Sequence, residues 1–223
     1  MDSISPIPIC SRGELADIRL PQQSPHPIVF LIPSWFPVNS EAELTTLSTD
    51  EQSTLTRYQT QRRQRQFFLG RFCLRHVLAR WLEIPAAAIP LEQERFGKVV
   101  LGRDYAHRSL YFNISHSRDY TVIALNQKSD VGIDIEFVDT EMKLSVIAEF
   151  IMDTTEYSQW QQQEQEKQIS TFYDHWTKHE AYLKLTGLGF HRLPPDRCRS
   201  VHFKKLLLPE HYAGALAFWH VDP

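Results

Sequence analysis

Two carboxylates stand two residues apart in the run Val131-Gly132-Ile133-Asp134-Ile135-Glu136-Phe137. Every odd position is large and apolar, and the even positions are Gly132, Asp134 and Glu136. Strict alternation predicts a half-buried strand, because successive side chains point to opposite faces. The apolar face enters a core. The other face carries both acids, with Gly132 leaving room beside them. Like charges that close stay ionised most readily with a cation between them. Mg2+ suits that place, since it takes oxygen ligands and commonly uses one or two carboxylates together with substrate phosphates. A strand with a solvated acidic face is the competing reading, and the strand alone favours it.

A second group lies in the helical stretch Ser170 to Leu185. Phe172, Trp176, His179 and Leu183 fall at helical spacing and form its apolar stripe. Glu180 and Lys184 are four apart, so they are neighbours at the stripe's edge. Alone they read as a surface ion pair worth about 0.3–0.5 kcal/mol. Beside Asp134 and Glu136, Glu180 supplies a third carboxylate, and Lys184, one turn on, a cation for a phosphate.

The elements that must position these groups are legible in outline. Residues 1–27 hold five prolines and little periodicity, which predicts an extended arm on the surface or partly loose. A strand follows at Ile28 to Ile32. The chain turns helical from Glu41, with Ser48 as a cap and Glu51 at the reciprocal position. A longer helix covers Phe67 to Leu82. Strands are expected at Val99 to Leu101, Leu110 to Ile114 and Tyr120 to Leu125, the last two joined by a polar turn, Ser115 to Asp119. After Val131 to Phe137 come helices at Leu144 to Ile151, Thr154 to Gln163 and Ser170 to Leu185, the last stopped by Gly187. Ser200 to Leu207 and Tyr212 to His220 close the chain as strands. Strand, helices, strands therefore occurs twice, with a divide near Gln127 to Asp130. This gives an arm (1–27), an N-terminal half (28–129) and a C-terminal half (130–223). No internal sequence repeat is visible, so duplication rests on element order.

Composition limits the partners. With 223 residues, 42% hydrophobic and 23% charged, the chain reads as folded and soluble, with room for one large domain or two small ones sharing a core. A net charge of −3 argues against broad attraction to nucleic acid or membrane, so charged partners must be met by local patches. Cys10, Cys73 and Cys198 are odd in number and dispersed, neither a disulfide framework nor a metal spacing. With no targeting pattern evident, and Ile28 to Ile32 too short to span a bilayer, a reducing cytoplasm is the expectation. His26, His76, His107, His175, His191, His202, His211 and His220 show no zinc-site spacing. Charge is segregated. From Gln52 to Leu82 there are seven arginines and no acid; from Asp130 to Trp160 there are eight acids and one lysine, Lys143. Two solvated faces of opposite sign would account for this. The sharper account is an anion-binding half facing a metal-binding half, with arginine's planar fork suited to phosphate.

Gly132-Ile133-Asp134-Ile135-Glu136, followed by Trp176-Thr177-Lys178-His179-Glu180-Ala181-Tyr182-Leu183-Lys184, resembles the paired motifs of the Sfp-type 4'-phosphopantetheinyl transferases, with Asp134 and Glu180 46 residues apart. Phe96-Gly97-Lys98, Phe112-Asn113-Ile114-Ser115-His116-Ser117, Thr155-Glu156-Tyr157 and the arginine-rich stretch ending Gly70-Arg71 follow the family's order. The resemblance runs from about Ser48 to Ala217. It implies an α+β fold of two similar, pseudo-twofold-related halves, each a small antiparallel sheet packed with helices, in a monomer. It implies transfer of the phosphopantetheine arm of coenzyme A to a serine of an apo acyl or peptidyl carrier protein, leaving adenosine 3',5'-bisphosphate. By the same resemblance Asp134, Glu136 and Glu180 would hold Mg2+ (or Mn2+) and Lys184 would contact the phosphates. Glu156 would be the general base. Lys98, Ser115 and His116 would contact coenzyme A, His116 at the 3'-phosphate, with Arg62 beside it.

Two positions depart from the family pattern. His179 stands where lysine is usual, and Lys178, rotated about 100° around the helix, cannot replace it. His179 either tunes the site, so that His179→Lys would preserve or raise activity, or it completes the apolar stripe. Val99 stands where proline is common. Glu156 also reads as a helix-end carboxylate favoured by the dipole, and His116 as a loop histidine capping a turn. Two other functions stay open: a degenerate module that binds coenzyme A or a carrier protein without turnover, and a Mg2+-dependent phosphoesterase.

Overall fold

The computed structural model describes residues 3–21, 24–38, 41–94, 97–187 and 201–220. Phe96, His191, Cys198 and Ser200, named above, lie outside them. The order of elements begins β1 (Ser3–Ile4), β2 (Ile7–Pro8), α1 (Arg12–Ala16), β3 (Ile28–Pro33), α2 (Glu41–Leu44), α3 (Thr49–Arg57) and α4 (Gln61–Leu82). It continues β4 (Leu91–Gln93), β5 (Val99–Leu101), β6 (Tyr111–Ser117), β7 (Tyr120–Asn126) and β8 (Val131–Phe137). Then come α5 (Ser145–Ile151), α6 (Thr154–Gln161), α7 (Gln165–Thr186), β9 (Val201–Leu206) and β10 (Tyr212–Trp219).

The strands form a mixed α+β architecture of two four-stranded sheets and a small hairpin, β4-β5. One sheet has the order β2-β3-β7-β6 and the other β1-β9-β10-β8. β7 runs antiparallel to both β3 and β6, and β10 runs antiparallel to both β9 and β8. Read from one edge, each trio runs first, last, middle in chain order. Among the described residues three α-helices follow β3 and three follow β8, and the third is 22 residues in both sets. Strand, helices, strands does occur twice.

Alternation along the strands explains the layering. Val122 and Ala124 of β7, with Val29 of β3, pack against Val131, Ile133 and Ile135 of β8, Leu206 of β9 and Leu216 of β10. The two sheets therefore face each other across an aliphatic layer. The intervening residues Ile123 and Leu125, with Phe30 and Ile32, turn outward onto Leu69, Phe72, Cys73, Val77 and Leu78 of α4. On the far side, Ala181 and Leu185 of α7 lie on Ala215 and Ala217 of β10.

β8 is thus covered on both faces, and its first five residues are all buried. The half-buried strand predicted above is corrected for a physical reason: α7 occupies the face that carries Gly132 and Asp134. The space at Gly132 serves that helix. A Cβ there would stand 1.9 Å from the Ala181 carbonyl oxygen and 2.4 Å from the Leu185 nitrogen. Opposite Gly132, Asp134 and Glu136 in the ladder stand Ala217, Ala215 and Ala213, so small residues admit the helix.

Two further expectations change. The N-terminal arm is built into the fold. β1 pairs parallel to β9 in one sheet, β2 pairs parallel to β3 in the other, and Ile9 and Leu15 are buried. β6 does not stop at Ile114; Ser115, His116 and Ser117 continue it, paired with Val122, Thr121 and Tyr120. The turn is only Arg118 and Asp119, with Arg118 in left-handed backbone (φ 42°). Other predicted boundaries move by a few residues: α4 starts at Gln61, capped by Thr60, and α7 at Gln165. Ser48 and Glu51 form the predicted reciprocal cap, and α7 ends on left-handed Gly187.

Gly132→Ala is expected to lower stability by about 3 kcal/mol, since the clash is with backbone and cannot be relieved by rotamer change. Chemical denaturation of the variant checks this; a loss under about 1 kcal/mol would mean that α7 shifts easily.

Candidate active site

β6 and β8 are edge strands of different sheets, joined side by side by polar side chains at alternate positions. The Asn113 Oδ1 accepts from the Ile133 backbone N–H at 3.1 Å. The Ser115 hydroxyl donates to Asp134 Oδ1 at 2.9 Å. The Ser117 hydroxyl donates to Glu136 Oε2 at 3.0 Å and accepts from the Phe137 N–H at 2.9 Å. This is the period-two pattern of one strand face, and it answers why β6 extends past Ile114: its polar residues have partners.

Lys184 reaches into the seam from α7. Its Nζ donates to Asp134 Oδ1 at 2.6 Å and to the Ser115 Oγ at 2.8 Å. The ion pair is therefore with Asp134 across the interface, and not the simple surface pair with Glu180 that spacing suggested. Asp134 is 3% exposed, and its Oδ2 is buried without a hydrogen-bond partner. Burial pushes the Asp134 carboxyl up, while the charge of Lys184 and hydrogen bonds from Lys184, Ser115 and the Ile135 backbone pull it back. Glu136 is raised by burial and then by the Asp134 charge, against hydrogen bonds from Ser117 and the Trp176 indole. Glu180 is likewise raised by burial and by Asp134, and lowered by Lys184. All three acids thus stand where added positive charge is favoured.

No three or more His, Cys, Asp or Glu side chains among the described residues form a group that could hold a metal ion as they stand. As they stand, Lys184 engages Asp134, and Ser117 and Trp176 hold Glu136. The donor chemistry nonetheless fits a hard divalent cation. The donors are all oxygen, and one of them is a buried carboxylate atom lacking any partner.

The other face of β6 looks toward α4. There the His116 Nε2 lies 3.2 Å from an Arg63 guanidinium nitrogen, so the imidazole accepts and is neutral. Its pKa is lowered to about 4, first by loss of hydration and then by the charges of Arg63 and Lys184. His116 is a strand residue, which removes its reading as a turn cap. A cavity of about 680 Å³ opens here, lined by Arg63, Phe67, Arg71, Gly97 and His116 among others. A second, of about 290 Å³, is lined by Lys98, Asn113, Glu180 and Lys184. Arg71, Gly97, Val99 and Ile114 line both, so the two are one continuous cleft that reaches Glu180 and Lys184.

The arginine run divides by role. Arg65 binds the carbonyls of Ser34 and Phe36, and Arg75, 1% exposed, binds Glu51 and the carbonyls of Ala86 and Ile89. Both brace the fold. Arg63 and Arg71 line the cleft. Arg71 stacks over Phe67, lies 3.6 Å from Glu51, and keeps one buried terminal nitrogen unpartnered. Arg62 is exposed and does not line the cleft, and its neighbour Arg63 takes that place. Lys98 donates to Asp130 at 2.7 Å and to the Leu185 carbonyl at 3.2 Å, which pins β5 to the start of β8 and the end of α7.

Glu156 is the third residue of α6 and closes a reciprocal cap with Asp153, its Oε2 accepting from the Asp153 N–H at 3.0 Å. The helix-end reading therefore describes its contacts; His175 Nδ1 lies 4.0 Å away. His179 is 1% exposed, parallel to Trp176 at 6.2 Å and edge-on to Phe150. It belongs to the apolar stripe, and a lysine there would place an ammonium in the core. Lys178 pairs with Asp174 at 2.6 Å. Sequence reasoning missed Arg63, Asn113, Ser117 and the Trp176–Glu136 bond. The signal for Asn113 and Ser117 was present in the alternation of Phe112-Asn113-Ile114-Ser115-His116-Ser117.

His116 is expected to titrate with a midpoint near 4 in the free protein. The unfolded chain takes up this proton near pH 6.5, so His116 makes stability fall as pH drops from about 6.5 toward 4. NMR of the imidazole checks the midpoint, and His116→Ala should flatten that part of the stability profile. Added inorganic phosphate should move the midpoint upward if the cleft takes anions.

The pattern that defines "4'-phosphopantetheinyl transferase, N-terminal" matches residues 33–128, and that of the "4'-phosphopantetheinyl transferase superfamily" matches residues 130–220. The 4'-phosphopantetheinyl transferase HetI of Nostoc sp. is 33% identical over 148 residues, 66% of this chain and 62% of that protein. The 4'-phosphopantetheinyl transferase gsp of Aneurinibacillus migulanus is 31% identical over 145 residues, 65% of this chain and 58% of that protein. The L-aminoadipate-semialdehyde dehydrogenase-phosphopantetheinyl transferase of Rattus norvegicus is 28% identical over 166 residues, 70% of this chain and 54% of that protein. The chain thus spans less than two thirds of these relatives. The two patterns adjoin between β7 and β8 and take in both sides of the cleft, and the chain belongs to the 4'-phosphopantetheinyl transferase superfamily.

Proposed function

We propose that the protein transfers the 4'-phosphopantetheine arm of coenzyme A to a serine of an apo acyl or peptidyl carrier protein and releases adenosine 3',5'-bisphosphate. The observation that carries this reading is the continuous cleft, with Arg63 and His116 at one end, Arg71 between, and Glu180 and Lys184 at the other, where Lys184 also bonds the buried Asp134. Cations at the first end suit the 3'-phosphate, and the second end suits a diphosphate with its counter-ion.

Asp134, Glu136 and Glu180 would hold Mg2+ or Mn2+. Bound there, the ion would supply Lewis-acid neutralisation of the diphosphate oxygens. The rest falls to side chains. Arg63 and His116 hold the 3'-phosphate, and an arriving anion favours the protonated imidazole, which then donates. Lys98 and Lys184 line the path of the diphosphate, and Ser115, expected beside it, lies in the seam and holds Asp134 and Lys184. In the transfer the carrier serine oxygen bonds to phosphorus, and the bond from that phosphorus to the bridging oxygen breaks. Its electron pair leaves with adenosine 3',5'-bisphosphate, and the hydroxyl proton passes to Glu156. Such transfer depends on positioning and charge neutralisation more than on covalent chemistry.

In this reading residues 28–129 bind coenzyme A, residues 130–223 carry the metal and catalytic groups, and an approximate twofold axis relates the halves. A monomer in a reducing cytoplasm is its expected setting. Cys10 and Cys73 are free thiols, and among the described residues no helix is long and apolar enough to cross a membrane.

Mass spectrometry of an apo carrier protein incubated with coenzyme A, Mg2+ and this chain should show addition of one phosphopantetheine arm; an unchanged mass across several carriers overturns the reading. Asp134→Ala and Glu180→Ala should slow the addition about a hundredfold or more. Glu156→Gln keeps a capping acceptor, so unchanged stability with turnover reduced about a hundredfold marks a base; unchanged turnover leaves Glu156 a cap alone. Hydrolysis of coenzyme A without a carrier would instead identify a phosphoesterase, and tight coenzyme A binding without turnover a binding module.

A further inference from the structure

We infer that the open end of the layer between the two sheets is a second anion site, separate from the cleft, which takes the dianionic phosphate group of a small molecule. It is built from residues that the transferase reading does not use.

The argument starts from the alternation of β9. His202 stands opposite Phe218 and Lys204 opposite Leu216, so both share the face of Leu206 that meets the other sheet. Val201 and Phe203 point the other way and pack with Ala215 and Ala217 on the α7 side. Leu206 belongs to the aliphatic layer. Toward the start of the strand Lys204 and His202 take over the same face, and the layer gives way to a cavity of about 280 Å³. Both sheets line it: β9 and β10 with His220 on one side, and Pro27, Asn126 and their neighbours at the ends of β3 and β7 on the other. None of these residues lines the cleft.

The chemistry of the lining selects an anion. Among the described residues around this cavity, His26, Lys128, His202, Lys204 and His220 can carry positive charge and none is acidic. The whole chain carries −3, so this concentration is local, and a concavity lined by one sign of charge focuses its field. The His202 and His220 rings lie nearly parallel, 4.6 Å apart. Protonated together they repel, and an anion at their edges offsets that. An ammonium offers three donors and an imidazolium two, so several oxygens of one phosphate can be met at once. Phe218 and Trp219 add apolar surface beside them. The walls are also held in advance. The Asn126 amide donates to the Ser129 carbonyl at 2.8 Å, which shapes the turn bearing Lys128. Gln127 accepts from the Ser24 N–H at 2.8 Å and donates to the Pro21 carbonyl at 2.9 Å, which ties the segment bearing His26 to that turn. A ligand therefore has less backbone to order on arrival.

The test is NMR of the full chain labelled at histidine, titrated with inorganic phosphate at constant pH and ionic strength, with neither coenzyme A nor carrier present. Phosphate should shift the ring signals of His202 and His220 saturably, on a curve separate from that of His116, which reports on the cleft. Lys128→Gln combined with Lys204→Gln should weaken the binding seen at His202 and His220 about tenfold and leave the response of His116 as it was. Should the double variant fail to fold, Lys128→Gln alone, at an exposed position, is read by the same criterion. Shifts at His116 alone, an equal response to chloride, or a variant as responsive as the wild type overturns the inference. A response at His202 and His220 without one at His116 supports it and counts only against the cleft. Adenosine 5'-monophosphate then identifies the source of the phosphate: tighter binding than inorganic phosphate, with a shift of the Trp219 indole, marks a phosphate borne on a ring, and equal binding marks the free ion.

Discussion

The bond between Ser115 and Asp134 lies on a seam that the rest of the site requires. β6 and β8 belong to different sheets, so no backbone ladder fixes one against the other. Asn113, Ser115 and Ser117 do it instead, meeting Ile133, Asp134, Glu136 and Phe137 in step. Hydrogen bonds to charged acceptors are stronger than neutral ones, and their geometry is directional. The cleft inherits its shape from this seam, because His116 and Ile114 project from the opposite face of the same strand into the cavity. A one-residue slip would exchange the two sets and send every ligand-facing side chain into the seam.

The helix α7 supplies the second half of the geometry. Gly132 and the alanines of β10 let its backbone approach β8 at a distance that no larger residue would permit. Closeness at Gly132 puts Ala181 and Leu185 against the strand, and thereby places Glu180 and Lys184 over Asp134. Packing and chemistry here are one constraint: the small residues serve the acids by bringing the helix to them.

Much of this was legible in the chain and some of it was not. The alternation of Val131 to Phe137 and the caps at Ser48 and Gly187 are local patterns with local causes, and they appear in the structure as read. β8 was read as half-buried because alternation reports polarity, not coverage; Asp134 is polar and buried, and only a tertiary partner explains that. Ser115 to Ser117 reads as a turn because three polar residues beside Asp119 resemble one, whereas the partners of Ser115 and Ser117 lie on a strand 19 or 20 residues away. Arg63 could not be told from Arg62, since both open the same helix and only its rotation decides which faces the cleft. The resemblance points to the acids and Lys184, but spacing along α7 does not show that Lys184 turns toward the strand.

The N-terminal arm has a consequence for how the molecule comes apart. Within a few residues it lends one strand to each sheet, through Ser3 and Ile4 on one and Ile7 and Pro8 on the other. A segment stitched into both layers cannot be released from one without disturbing the edge of the other. It acts as a clasp on two sheets that also meet across an aliphatic interface and a polar seam, so that loosening the arm would disturb both at once.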